Sequence, residues 1–223
     1  NLAKIVLITA FLWCIPILLL TFSLGWQHAY TQMAWFFTKA ALLTFGGAYA
    51  VLPYVYQGAV NYYGWLNPTQ MIDGLALGES TPGPLIMVVA FVGFLGGFNQ
   101  ALLGTEHLFL AGAVGAVIVT WFTFLFSFVF IFAGAPLIES THNELKFTAP
   151  LTAITAAVVG VILNLALFFS YHVLWPNGFD HAFNYEAAII TVAAMIALFK
   201  FQINVLYVIF ASALCGLILY LFV

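Results

Sequence analysis

Long apolar runs, several of them about 20 residues in length, recur along this chain of 223 residues and leave it few possible folds. A run of that length is what an α-helix needs to cross a bilayer. Inside a bilayer a spanning segment finds no water, so it must satisfy its backbone hydrogen bonds internally, as a helix does. Hydrophobic residues make up 65% of the chain and charged residues 5%, a composition foreign to soluble domains. The sequence therefore predicts an all-α integral membrane protein.

Seven membrane segments and one shorter helix follow from these runs. The segments cover residues 5–25, 35–57, 85–103, 108–135, 148–174, 185–199 and 203–223. Between the second and third segments, Asn67 and Pro68 are the residue types of a helix N-cap and of a first helical position. The helix that they start should run to about Gly78, and at about 1.5 Å per residue it is too short to span.

A polar run, Gly78-Glu79-Ser80-Thr81-Pro82-Gly83-Pro84, interrupts the apolar background. Its two prolines each remove a backbone donor and fix φ, and its glycines loosen the backbone, so no regular helix can continue through it. Irregular backbone at membrane depth is tolerated only where it is buried in protein or lines a water-filled cavity. Transporters bind their substrates at such discontinuous helices. This segment favours a transporter over a simple anchor.

The lysines predict an orientation. If Lys4 is cytoplasmic, alternation through seven spans places Lys146 and Lys200 in the cytoplasm too, whereas the loops around 26–34, 104–107 and 175–184 contain no Lys or Arg. The C-terminus then faces outward. The chain begins at Asn1, and its first apolar run is too long for a signal peptide, so we interpret it as part of a longer protein.

Aromatic, cysteine and histidine residues point to no cofactor or metal site. The Trp and Tyr residues near predicted segment ends favour an interfacial belt over a ligand cage; they are Trp26, Trp35, Trp65, Trp175, Tyr30, Tyr62, Tyr63 and Tyr171. Cys14 and Cys215 lie in apolar segments, where a thiol acts as a small hydrophobe. The five histidines lie near segment ends or in loops, which argues against a haem subunit. Four lysines and no arginine exclude nucleic-acid binding.

Three positions are candidates for a polar site within the membrane. Lys39 lies inside a predicted span and either contributes to a site or extends to the headgroups near Trp35. Gly46-Gly47 indicates either close helix packing or a second helix break. Glu79 is expensive at membrane depth unless it is solvated, paired or protonated; alternatively, its segment lies flat at the interface. Asp73 is expected nearer to water, as a solvated or capping group.

Two longer blocks resemble signatures of the chromate ion transporter (CHR) family. They are residues 44–53 (TFGGAYAVLP) and 74–86 (GLALGESTPGPLI), the latter continued by 91–94 (FVGF), and they occur in the family's order and approximate spacing. The similarity extends through 133–139 (AGAPLIE) towards the end of the chain. Ser80 departs from the pattern, where Thr is more usual, but either residue supplies a hydroxyl.

The resemblance implies export of chromate, and of isosteric sulfate as a further substrate, across a bacterial inner membrane. It also implies a C-terminal half of a two-repeat protein, with a linker transmembrane helix over 1–30 and a transport repeat over 31–223. The partner would be a homologous N-terminal half or a second copy, in contact with membrane lipid. Alternatives are a non-catalytic structural subunit of a membrane complex and a passive anion channel; an enzyme is disfavoured because acid–base and metal motifs are lacking.

A tetrahedral dianion needs hydrogen-bond donors and positive potential, which the N-terminus of a half-helix offers. A half-helix starting after Thr81 would present such donors. The candidate substrate-binding residues are Lys39, Gly46, Gly47, Ala48, Ser80, Thr81, Gly83, Leu85 and Ile86. Pro82 and Pro84 break the helix, and Glu79 is the candidate for proton coupling, since an ionised carboxylate would repel the substrate.

Overall fold

Every regular secondary-structure element in the described part of the protein is a helix. The computed structural model describes residues 2–43, 48–79, 81, 83–140, 148–176, 178–180 and 182–222, and those residues contain no strand. The α-helices are α1 Leu2–Leu24, α2 Ala29–Leu43, α3 Ala48–Tyr56, α4 Pro68–Glu79, α5 Pro84–Asn99, α6 Leu108–Ser140, α7 Thr148–Leu174, α8 Tyr185–Phe199 and α9 Val205–Phe222. A π-helix, Gln57–Tyr62, continues α3, and a short 3₁₀-helix, Thr105–His107, precedes α6.

The chain divides into two compact units, Asn1–Leu165 and Ala166–Val223. In the first unit α6 is the central helix, because α1, α2 and α5 all pack against it. With 33 residues, α6 extends over about 50 Å. In the second unit α8 packs against α9, and the side chains of Asn184 and Asn204 accept hydrogen bonds from the backbone of the first turns of these two helices.

Glycines bring α5 and α6 into backbone contact. A Cβ on Gly93 would lie 2.6 Å from the carbonyl oxygen of Gly115. A Cβ on Gly97 would overlap the carbonyl oxygen of Ala111, and one on Gly115 would overlap that of Gly93. Small residues at such a crossing allow the helices to approach closely, which is the usual way in which membrane helices associate.

Hydrogen bonds from aromatic side chains join α1 and α2 to their neighbours. Trp13 Nε1 donates to Thr38 Oγ1 at 3.0 Å, which ties α1 to α2. The Tyr30 hydroxyl, which is buried, donates to the carbonyl oxygen of Ala111 at 2.8 Å and ties α2 to α6. These bonds satisfy polar atoms that would otherwise be costly in an apolar core.

Among the described residues, two helices are long and apolar enough to cross a membrane by length and composition, those over Ala3–Leu24 and Thr105–Gly134. Shorter apolar helices cover Leu85–Asn99, Ile162–Leu174, Tyr185–Phe199 and Val205–Leu219. The all-α class is confirmed over the described residues, whereas the count of seven membrane segments stays a prediction. The bounds of α7 and α8 coincide with the predicted segments 148–174 and 185–199.

Other predicted boundaries were wrong. Residues 29–34 were expected in a loop but form the first turns of α2, because Tyr30 and Met33 are buried against the other helices of the first unit. Residues 100–103 were expected in a span, but α5 ends at Asn99 and the chain turns there, with Ala101 at φ 48°. The second segment does not end at Gln57, since the π-helix extends to Tyr62.

The predicted aromatic belt was wrong for two of its members. Trp65 is 1% exposed and Tyr30 is 2% exposed, so both belong to the core. The Trp65 ring stacks on Tyr63, with 4.4 Å between ring centroids, and also on Phe37. The Trp65 carbonyl oxygen accepts a hydrogen bond of 3.1 Å from Asn99 Nδ2. Their positions next to polar segments favoured an interfacial location, but both side chains are packed inside the protein.

Candidate functional site

The interruption between α4 and α5 is the first part of the candidate site. A reciprocal pair of hydrogen bonds stabilises the start of α4. The backbone N–H of Gln70 donates to Asn67 Oδ1 at 2.8 Å, and the backbone N–H of Asn67 donates to Gln70 Oε1 at 3.0 Å. The helix then runs from Pro68 to Glu79, within one residue of its predicted end. It packs against α5, where a Cβ on Gly74 would lie 2.5 Å from the Phe91 ring, so glycine is required for this approach.

Gly83 defines where α5 begins. It is the N-cap residue and has φ 87° and ψ 63°, in the left-handed region that glycine adopts without strain. Pro84 follows at the first helical position, where its missing N–H costs nothing. Within the described part of the chain, the amide of Leu85 has no acceptor outside its own helix, whereas the Ile86 amide donates to the Gly83 carbonyl oxygen at 3.2 Å. Leu85 is therefore a better candidate donor than Ile86.

Thr81 closes the C-terminus of α4. Its hydroxyl donates to the carbonyl oxygen of Gly78 at 2.9 Å, with Leu77 O at 3.3 Å, and its amide donates to Gly78 O at 3.1 Å. This hydroxyl must therefore leave a helix carbonyl before it can donate to an anion.

Several candidates lie outside the described residues. These are Gly46 and Gly47, with the question of a second helix break between α2 and α3, and Ser80 and Pro82. For Glu79, Ala48 and Pro84 the structure describes the backbone alone. Asp73 is exposed, and its expected position near water stays a prediction.

Lys39 lies in a different setting from the one expected. It is in the second half of α2, not near its start, because the helix begins at Ala29. Its Nζ lies 6.0 Å from the centroid of the Trp35 ring, a cation–π distance. Lys39 also lines a cavity of 280 Å³ together with residues of α2, α3, the π-helix and Tyr63; the others are Phe36, Tyr54, Gln57, Gly58, Tyr62 and Tyr63. Neither Thr81 nor Gly83 lines this cavity.

Aromatic packing holds the walls of this cavity, which we call the Lys39 cavity. Phe36, which is 3% exposed, stacks on Tyr54 with 4.8 Å between ring centroids and 10° between planes. Tyr63 meets Phe36 edge-on at 5.7 Å and stacks on the buried Trp65. A Cβ on Gly58 would overlap the Phe36 ring, so a glycine in the π-helix is needed for this approach. π-Helical turns often occur at functional sites.

The described residues that line the Lys39 cavity carry one cation and no carboxylate. Tyr63 follows the helical segment, and burial raises the pKa of its hydroxyl above the ordinary value of 10.0, with further increases from Tyr62 and Tyr54. That hydroxyl is therefore protonated at neutral pH and can donate. Elsewhere in the described part of the chain, no three His, Cys, Asp or Glu residues are grouped as metal ligands would be.

Sequence reasoning named Lys39 as a candidate but did not name Tyr54 or Gln57, which line the same cavity. A signal was present, since Tyr54, Gln57 and Gly58 are spaced at three and four residues and so share one helix face. Tyr62 and Tyr63 were instead assigned to an interfacial belt, because they lie near the end of an apolar segment. Only the tertiary structure brings them next to Lys39.

Comparison with known proteins gives a consistent family. A family model described as chromate transporter matches residues 31–217. A chromate transport protein of Cupriavidus metallidurans is 30% identical over 85% of this chain and 42% of its own length. A chromate transport protein of Pseudomonas aeruginosa is 38% identical over 56% of this chain and 26% of its own length. The uncharacterized transporter YwrA of Bacillus subtilis is 26% identical over 84% of this chain and 94% of its own length.

The chain thus spans less than half the length of the two chromate transport proteins and nearly the whole length of YwrA. No solved structure matches it.

Proposed function

Because this chain belongs to the chromate transporter family, we propose that it carries chromate, a tetrahedral dianion, across a bacterial inner membrane as one half of a secondary transporter. The observation that carries the proposal is the interruption between α4 and α5, which lies within the residues that the family model matches and ends at the N-terminus of an apolar helix. Sulfate, which has the same shape and charge, is proposed as a second substrate.

The chemistry of the proposed site is that of a helix N-terminus. The first amides of α5 have no carbonyl of their own helix to bind, and the helix dipole places partial positive charge there. Both favour an oxyanion. We assign the amides of Gly83 and Leu85 as donors, together with the hydroxyls of Ser80 and Thr81. To donate to the substrate, the Thr81 hydroxyl has to break its hydrogen bond to the Gly78 carbonyl oxygen, so substrate binding would change the hydrogen bonding at the C-terminus of α4.

A second wall of the site is assigned to the start of α3. Gly46, Gly47 and Ala48 would offer further amides if the chain is also irregular there. This assignment rests on the glycine pair in the sequence. Since half of a repeat-built transporter supplies only part of its substrate site, the opposite wall is assigned to a homologous half or a second copy.

Charge determines the energetics of transport. Two negative charges that move outward across a membrane with an inside-negative potential gain about 4.6 kcal/mol per 100 mV, equivalent to a concentration ratio of roughly two thousand. The potential alone therefore suffices for export. Glu79 next to a bound dianion would have to be protonated, which would couple a proton to the substrate and make flux respond to a pH gradient.

Chromate counterflow in proteoliposomes, with and without a pH gradient, tests the proposal. The change is Gly83→Leu, which forces a side chain into the left-handed region at a cost of about 1–2 kcal/mol and displaces the first turn of α5. We expect saturable flux from the unaltered chain, with the partner half supplied if it is needed, and loss of flux in the variant.

Gly25→Leu is the matched control. Gly25 has φ 90° and open space where a Cβ would be, and it lies between α1 and α2, away from the interruption. A leucine there also has to adopt a left-handed φ, but no proposed substrate donor lies at this position, so flux should stay near that of the unaltered chain. Equal flux in the Gly83 variant would remove the site from this segment, and conductance without saturation would indicate a channel.

A further inference from the structure

Apart from the cation–π contact of Lys39 with Trp35, the polar groups of the Lys39 cavity have no partner within the described residues. Lys39 Nζ, the Gln57 amide and the hydroxyls of Tyr54, Tyr62 and Tyr63 make no hydrogen bond or ion pair within the described residues. A cation in a protein that spans a membrane is costly unless it is paired or hydrated. Five such groups around one cavity, one of them charged, therefore leave room for an external partner that accepts hydrogen bonds.

The size of the cavity limits that partner. A volume of 280 Å³ corresponds to about nine water molecules at about 30 Å³ each. This space holds a small hydrated ion or a single headgroup but not a peptide. The back wall, formed by Phe36 and Gly58 in close contact, excludes anything that must pass between α2 and the π-helix.

The charge of the cavity determines the sign of the partner. Its described lining has one ammonium group, hydroxyls and an amide, and no carboxylate, so it offers donors and positive potential. We infer that the Lys39 cavity binds an oxyanion, held by the Lys39 ammonium and by the hydroxyl donors of Tyr54 and Tyr63, at a site separate from the interruption between α4 and α5. The statement that this oxyanion is the transported one rests on the proposed function. The statement that the cavity binds an oxyanion rests only on the charge and the donors of its lining.

Oxyanions of this chemistry have two sources in a membrane, a free sulfate-like ion and the phosphate of an anionic lipid. Cysteine protection separates them. Gln57→Cys places a thiol in the cavity at an exposed position, in a chain whose two native cysteines, Cys14 and Cys215, are replaced by serine. The full chain is reconstituted in phosphatidylcholine vesicles, with or without phosphatidylglycerol. Sulfate is the probe because chromate oxidises thiols.

We expect the introduced thiol to react about tenfold faster with an anionic methanethiosulfonate than with a cationic one, because the Lys39 charge is close. Sulfate should slow the reaction in phosphatidylcholine vesicles. Protection by phosphatidylglycerol alone would assign the oxyanion to lipid. Lys39→Gln should remove both the charge preference and the protection.

Lys200→Gln is the matched control. Lys200 also lies beside an aromatic ring, at 5.9 Å from the Phe201 centroid, but it is not among the residues that line the cavity, so its loss should change neither rate. If the Gln57 variant fails to insert, Tyr62→Cys, at a position 80% exposed, replaces it.

Modification rates that do not respond to sulfate or to anionic lipid while Lys39 is present would overturn the inference. Counterflow in the same vesicles keeps the two proposals apart. Flux without protection would contradict the cavity site alone, whereas protection without flux would contradict the transport proposal alone.

Discussion

The glycine contact between α5 and α6 gives a prediction whose size follows from the structure. In Gly93→Ala the new Cβ would lie 2.6 Å from the Gly115 carbonyl oxygen and 2.8 Å from a methyl of Val119. Ordinary contact begins near 3.4 Å, so the two helices must separate by about 0.8 Å. A backbone carbonyl cannot rotate away as a side chain can. Overpacking of this kind costs about 1–3 kcal/mol.

Gly134→Ala provides the control in the same pair of helices. A Cβ on Gly134, in α6, meets nothing within 4 Å. Both variants gain the same helix propensity, up to about 1 kcal/mol, so the difference between them isolates the contact. For a chain of this length, about 1–3 kcal/mol corresponds to a melting temperature lower by roughly 2–12 °C in Gly93→Ala than in Gly134→Ala.

The assay is thermal unfolding of the detergent-solubilised protein, followed by size-exclusion chromatography of the folded fraction after each temperature step. Equal melting temperatures for the two variants would refute the reasoning, because they would mean that α5 and α6 do not touch at Gly93. A loss in both would point to a requirement for glycine that has another origin than the helix crossing.

Two further predictions concern α4 and the partner. Asn67→Ala removes the side-chain acceptor of the Gln70 backbone amide and should lower the free energy of unfolding by about 1 kcal/mol in the same thermal assay. The reference is Gln27→Ala, which removes an exposed hydrogen bond from Gln32. Equal stability of the two variants would contradict the prediction. The chain should transport only beside a homologous half or a second copy, so cysteines at Ala48 or Ser80 should crosslink to that partner; a purified monomer with full chromate flux would contradict this.

Local signals in the sequence were sufficient for several elements. Asn67 followed by Pro68 predicts a helix start through capping chemistry that involves only neighbouring residues, and the reciprocal bonds with Gln70 are present. The prolines and glycines of residues 78–84 predict an interruption because they act on their own backbone. The bounds of α7 and α8 follow from apolar runs with clear polar ends.

Contacts distant in sequence decided the remainder. Tyr30 and Trp65 are residue types that are common at membrane interfaces, but both lie in the core. Tyr30 donates a hydrogen bond to the Ala111 carbonyl oxygen, and Trp65 stacks on Tyr63. The observed start of α2 lies before the predicted one for the same reason, since its first turn is bound to α6 through Tyr30.

The sequence alone thus determined the helical class, the membrane environment and the interrupted segment, because each depends on residue type and short spacing. It also contained Lys39 as an unusual charge. Only the tertiary structure decided what surrounds that charge. The π-helix and Tyr54 lie next to Lys39 because Gly58 packs on Phe36, a residue 22 positions away in the sequence. Such packing depends on the fit of whole surfaces, which no local pattern encodes.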